Sequence, residues 1–292
     1  MSGFFKTALL LTALTVLLVL VGRALAGTAG MLAMLAVALV MNFLSYWFSD
    51  KIVLAMNGAR PVSQLEAPEL YALVADVARQ ARLPMPRVYI VDSPTPNAFA
   101  TGRDPAHAAV AVTTGILELL TPRELRAVLA HELGHVRNRD TLIMTVVAVI
   151  AGAIVSIAHM AQWALFFGGY GGHRDDDSGP NPLAALLMIL LAPLAATLIQ
   201  LAISRTREYE ADATGARLSG DPLALASALE KLERGVSLRP MPNANPATAS
   251  LYIVNPLSGD FIASLFSTHP PIPERIARLR AMAMQRSYGA VA

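Results

Sequence analysis

Cysteine is absent from the 292-residue chain. That excludes a thiol nucleophile, a disulfide framework and any thiolate-ligated metal. Charge is scarce too: 15% of residues are charged, against roughly 25% in an ordinary soluble domain. Lysine occurs only at positions 6, 51 and 231, and no basic run is interleaved with aromatic residues. With a formal net charge of +2, the electrostatic footprint of a nucleic-acid binder is missing, and no nucleic-acid partner is expected.

Apolar sequence takes the place of charge. Hydrophobic residues make up 54% of the chain and concentrate in four runs, 7–22, 28–48, 141–167 and 182–204. The first two hold no charge, and His159 is the only ionisable group of the third. A membrane span needs roughly 17–25 mostly apolar residues, so the last three runs qualify and the first is short. Lys6, the apolar run and Ala24-Leu25-Ala26 resemble a signal peptide with its cleavage site; Arg23 beside that site favours retention of residues 1–26. The alternative, buried hairpins in a soluble core, fails because there is too little polar sequence to wrap four such runs.

Charge placement predicts the orientation. Residues 168–181 carry one arginine against Asp175, Asp176 and Asp177, whereas Lys51, Arg137, Arg139, Arg205 and Arg207 flank the ends leading into the polar segments. By the positive-inside rule, both termini and both polar segments lie on the cytoplasmic side. The expected layout is two transmembrane helices in 1–48, a cytoplasmic catalytic segment 49–140, two further transmembrane helices in 141–204 joined by an outer loop 168–181, and a second cytoplasmic segment 205–292. Arginine far outnumbers lysine and alanine is abundant, which agrees with a GC-rich bacterial genome.

Residues 66–83 show helical periodicity, with Leu70, Leu73, Val74 and Val77 on one side and Pro84 and Pro86 ending it. Arg87–Val91 reads as a strand, and 97–101 and 108–113 as two more around a turn at Gly102–Pro105, giving a three-stranded sheet beside helices. Thr121-Pro122-Arg123-Glu124 then supplies an N-cap, a proline at the first helical position and a capping box. The helix so begun carries Leu125, Val128 and Leu129 into His131-Glu132-Leu133-Gly134-His135.

That pentapeptide is the most informative feature. Positions i and i+4 share a helix face, so His131 and His135 reach one metal, and Glu132 stands beside it as a base for an attacking water. One further protein ligand is needed. The segment Ser204–Asp212 emerges from the fourth run on the same side as the histidines enter the third. Glu208 and Asp212 are four residues apart within it, so one carboxylate can bind the metal while the other orients a ligand imidazole; an ordinary charged helix end at a membrane interface is the other reading, and composition alone favours it.

HELGHVRNRD, SRTREYEAD, PNAFATG and STHPPIPER, in this chain order among four apolar runs, resemble the HtpX family of bacterial membrane zinc metallopeptidases, relatives of the CAAX prenyl-protein endopeptidases. The resemblance spans essentially the whole chain. It implies a mainly α integral membrane protein, with four transmembrane helices and a cytoplasmic α+β zincin-like domain containing a small β-sheet. It implies one zinc ion per chain on His131, His135 and Glu208, with Glu132 as general base, Asp212 behind the ligands and Glu210 a bystander. It places Asn97 on the strand edge along which an extended substrate pairs. His269 becomes a donor to the developing oxyanion, and Arg275 a support for substrate or structure. It further implies endoproteolysis of damaged or misassembled membrane proteins at the bacterial inner membrane, in stress response and quality control. The lipid bilayer is then a partner, alongside other membrane quality-control proteases.

Rival readings are a CAAX-type processing endopeptidase, a non-catalytic zinc-binding membrane sensor and a transporter. An intact Glu132 opposes the sensor, since a structural site needs no base. Only Pro193 and His159 hint at the broken or charged spans of a transporter. His107 and His173 read as solvated, His159 as packing, and Asp140 as the helix end at the membrane.

Overall fold

Ala109–Thr113 is apolar on both alternating faces, the pattern of a strand buried on two sides. The computed structural model, which describes residues 3–168, 197, 205–241, 244–257 and 269–289, puts it inside a sheet. The strands are β1 (Ala59–Pro61), β2 (Arg87–Val91), β3 (Ala98–Thr101) and β4 (Ala109–Thr113), in the order β1-β2-β4-β3. The β2–β4 pair is parallel and the other two are antiparallel. The sheet thus has four strands, one more than the sequence suggested. The addition is a three-residue edge strand ending in Pro61, too short to show an alternating pattern.

The remaining described elements are mostly helical: α1 (Gly3–Trp47), α2 (Ser49–Met56), α3 (Pro68–Ala81), α4 (Thr114–Leu119), α5 (Pro122–Asn138), α6 (Thr141–Gly168), α7 (Arg205–Ser219), α8 (Pro222–Leu238) and α9 (Ile272–Gly289). Strand pleating divides the core in two. Val110 and Val112 pack with α3, α5 and α8 on one face, while Ala109, Ala111 and Phe99 meet α2 and the start of α6 on the other. The sheet therefore joins the helix carrying His131 and His135 to the apolar helices.

The element α1 is not one straight rod. Gly27 has φ +57°, a left-handed conformation that glycine adopts without penalty, and there the chain turns back. Asn42 Nδ2 donates to Thr15 Oγ1 across the two arms at 2.8 Å, and Gly22 abuts Gly30 and Met34. Leu10, Leu11, Leu14 and Tyr46 pack against Leu142, Val146 and Ile150 of α6. Among the described residues, one stretch, Gly27–Trp47, is long and apolar enough to cross a membrane, and Thr7–Leu20 and Thr141–Ile154 are shorter apolar helices. The fourth predicted span, 182–204, lies outside the described residues except for Thr197, as do the outer loop with its aspartates and His173.

Candidate metal centre and active site

Helix α5 starts as its sequence dictates. The Thr121 side chain accepts from the Glu124 N–H, and the Glu124 carboxylate accepts from the Thr121 N–H. Glu124 also accepts from Ser227 Oγ and Lys231 Nζ, both at 2.7 Å, which ties the helix start to α8. Two turns on, His131, Glu132 and His135 are almost fully buried. The helix closes with Arg139 left-handed at φ +59°, and the Asp140 N–H returns to the His135 carbonyl at 3.0 Å, a Schellman closure.

Helix α7 lies across α5 at backbone contact. A Cβ on Gly215 would stand 2.8 Å from both the Cα and the N of His131, so only glycine permits this approach. The crossing brings Glu208 to both histidines. Glu208 Oε1 is 3.6 Å from His135 Nε2, and Oε2 is 4.0 Å from His131 Nε2. These distances are too long for hydrogen bonds. They are close to the roughly 3.4 Å that separates two ligands each about 2.1 Å from one tetrahedral zinc. Ligand atoms of His131, His135 and Glu208 all lie within 4.8 Å of one another, so nitrogen and oxygen donors converge as a borderline divalent cation requires.

Each imidazole is backed by an aspartate. His131 Nδ1 lies 3.0 Å from Asp212 Oδ1 and His135 Nδ1 lies 3.5 Å from Asp140 Oδ2, an arrangement that aims both Nε2 atoms at Glu208. Asp212 is gripped by Arg275, whose Nε and one Nη donate to its two oxygens at 2.8 and 2.7 Å. The third guanidinium nitrogen donates to the Ile253 carbonyl at 3.1 Å. Arg207 approaches Asp140 at 3.8 Å. Glu210, by contrast, is exposed.

Electrostatics follow from burial and these partners. Burial holds His131 down at about 4 and pushes Glu132 up to about 8. For His135, burial disfavours the charged ring, but the Glu208 and Asp140 carboxylates outweigh it and raise the ring to about 9. Burial opposes the charge on Glu208 and Asp212 as well. His269 and His135 nevertheless hold Glu208 well below the carboxylate range, and Arg275 with His131 holds Asp212 at about 2. The centre therefore keeps two charged carboxylates facing imidazoles.

The other predicted residues fall around this core. His269 places Nδ1 3.0 Å from Glu208 Oε2 and Nε2 3.2 Å from the Ser250 carbonyl. Asn97 is fully buried beside β3, and both ends of its amide are engaged. Nδ2 donates to the Val254 carbonyl at 2.7 Å, and Oδ1 accepts from the Ala98 and Val254 N–H groups at 3.1 and 3.4 Å. With Ile253 N–H on the Ala98 carbonyl, the first half of the β3 edge is covered by the chain itself. Farther along, the Ala100 backbone N–H lies near Glu132 and favours its charged form. Residues missed by sequence reasoning are Asp140, Arg207 and the 250–254 segment. His107 sits in an exposed turn with Nδ1 2.8 Å from Asp104.

Comparison with known proteins agrees with this geometry. Residues 64–283 match the model of peptidase family M48. A protein named Protease HtpX homolog from Syntrophobacter fumaroxidans is 54% identical over 282 residues, 97% of this chain and all of that one. Another of the same name from Pyrococcus furiosus is 56% identical over 280 residues, 96% of each chain. The crystal structure of S. mikatae Ste24p superposes with a TM-score of 0.49 at 19% identity, covering 95% of this chain and 64% of that one. With a family match over three quarters of its length and relatives above half identity throughout, the chain belongs to peptidase family M48.

Proposed function

We propose that the protein is a membrane-anchored zinc endopeptidase that hydrolyses extended segments of damaged or misassembled membrane proteins at the cytoplasmic face of the bacterial inner membrane. The observation that carries this reading is the convergence of His131, His135 and Glu208 on one point, with Glu132 unligated beside it. Membership of a metallopeptidase family, HtpX-named relatives and the apolar helix Gly27–Trp47 support a membrane protease. The fold-back of α1 at Gly27, the helix α6 and the fourth apolar run support four spans, with the metal centre within a few turns of the bilayer.

His131, His135 and Glu208 would hold a zinc ion, which would supply Lewis acidity to the scissile carbonyl and to an attacking water. Glu132 takes the proton from that water and passes it to the leaving amine. Its carboxylate lies buried on the same helix turn as the two histidines. Asp212 and Asp140 hold the two imidazoles in orientation, and Arg275 fixes Asp212. His269 meets Glu208 Oε2 through Nδ1 and the Ser250 carbonyl through Nε2, so in this arrangement it positions the ligand Glu208, and no ring N–H is left for the developing negative oxygen. The β3 edge beyond Ala98 receives the substrate as an added strand, and Asn97 sets where that edge begins by binding Val254. The sensor alternative leaves the position of Glu132 beside the ligands without a purpose.

The test is cleavage of an unfolded polypeptide by the full chain purified in detergent, before and after chelation and on return of zinc. Cleavage lost on chelation and restored by zinc is expected. Cleavage that survives chelation with the zinc removed overturns the reading.

A further inference from the structure

A cavity of about 480 Å³ opens where the membrane-spanning stretch Gly27–Trp47 enters the catalytic domain, lined by none of the metal-centre residues. Its wall has two chemistries. One side is aromatic: Phe43, Trp47 and Phe48, each more than a third exposed and in ring contact through Phe43. The other side is basic: Lys51, Arg87 and Arg103, against the single carboxylate of Asp50. Arg87 is paired with Asp50, and Arg103 lies 3.6 Å from Asp104 while stacking over the Trp47 ring at 4.9 Å. Lys51 lies over Phe48 at 5.5 Å and has no carboxylate partner among the described residues. The cavity wall therefore carries an excess of positive charge.

An apolar track leads away from it. Leu39, Val40, Phe43 and Leu44 are all exposed along the same helix, at spacings that continue the cavity's aromatic side into the hydrocarbon layer. Aromatic residues at this height belong to the interfacial girdle, and basic residues beside them face the phosphate layer. A basic cup continuous with an apolar track fits an amphiphile with an anionic head, and a soluble ion would use only half of it.

We propose that this cavity binds the headgroup of an anionic phospholipid, with Lys51 and Arg103 on its phosphate and the acyl chains along Leu39, Val40 and Phe43. The proposal rests on Gly27–Trp47 spanning the membrane, and is independent of catalysis. A bound headgroup would fix the height and tilt of the catalytic domain on the bilayer, because α2, which leads out of the cavity, connects to the active-site segment. Asn57, which follows α2, accepts through Oδ1 from Thr248 and Tyr252, next to Ile253 and Val254 at the β3 edge.

The test uses the full chain carrying Trp163→Phe, which leaves Trp47 as the only tryptophan, in neutral detergent. Short-chain phosphatidylglycerol, short-chain phosphatidylcholine and inorganic phosphate are titrated separately against Trp47 fluorescence. The expected result is saturable binding of phosphatidylglycerol, far tighter than of the other two probes. Lys51→Gln, a change at an exposed position that leaves the fold intact, should weaken it roughly fivefold, the effect of removing one interfacial charge. Lys51→Gln with Arg103→Gln should weaken it further, and Lys51→Arg should restore it. Equal response to the two lipids, or no change in Lys51→Gln, overturns the proposal. A response to inorganic phosphate as strong as to phosphatidylglycerol also overturns it, by showing a site for the ion alone.

Discussion

Arg275 grips Asp212 through two parallel hydrogen bonds of 2.8 and 2.7 Å, and the guanidinium is fully buried. Asp212 stands 3.0 Å from His131 Nδ1, so a residue from α9 sets the orientation of His131, the ligand proposed on α5. Removing Arg275 would leave a buried carboxylate without its countercharge. Arg275→Ala should therefore cost about 3–5 kcal/mol of stability, read as a fall in the unfolding midpoint in detergent. Zinc affinity, measured by competition with a chelator, should fall roughly 10–100-fold in the fraction that remains folded. Arg275→Lys keeps the charge but loses the two-pronged geometry, and should fall between the wild type and alanine.

Gly215 governs the distance between α5 and α7. The Cβ of Gly215→Ala would meet His131 backbone atoms at 2.8 Å, and backbone has little room to yield. Overpacking of this kind costs about 1–3 kcal/mol. Because Glu208 and Asp212 both ride on α7, the shift should also separate Glu208 from the histidines. Zinc bound per chain should drop together with stability, measured by metal analysis after gel filtration.

Glu124 makes folding sensitive to acid. Burial opposes its charge, but Lys231, Ser227 and the Thr121 cap outweigh burial and hold its carboxyl at about 2, against an ordinary 4.5. A carboxyl lowered on folding stabilises the protein above its unfolded value and loses that contribution as pH falls from about 4.5 towards 2. The displacement corresponds to roughly 3 kcal/mol at neutral pH. Glu124→Gln should thus be clearly less stable than wild type at pH 7, with the gap shrinking at pH 3.5. A gap that stays constant between those two values would contradict this assignment.

The parts of the fold legible in the sequence were the local ones. The capping box at Thr121 and Glu124, the strand Arg87–Val91 and the i, i+4 histidines each depend on residues a few positions apart, and each is found in the structure. Glu208 and Asp212 could be proposed together because they share a helix face, but their roles depend on where α7 crosses α5, which Gly215 permits and no local pattern announces. Asp140 was read as a helix end. Its place behind His135 depends on Arg139 adopting a left-handed conformation, and arginine gives no hint of that where glycine would. Asn97 was expected to face substrate along a strand edge. The Val254 backbone that engages its amide comes from 157 residues away, beyond the reach of any periodicity.

The central claim is that Glu132 is the base of a peptidase whose metal ligands are His131, His135 and Glu208. Glu132→Gln keeps the size of the side chain, leaves those three ligands in place and removes the basic oxygen. The measurement is cleavage of an unfolded polypeptide by wild type and variant side by side, with zinc content determined on the same samples. The account predicts equal zinc in both proteins and a loss of cleavage of at least about a hundredfold in the variant. Equal cleavage by the two proteins at equal zinc content would contradict it.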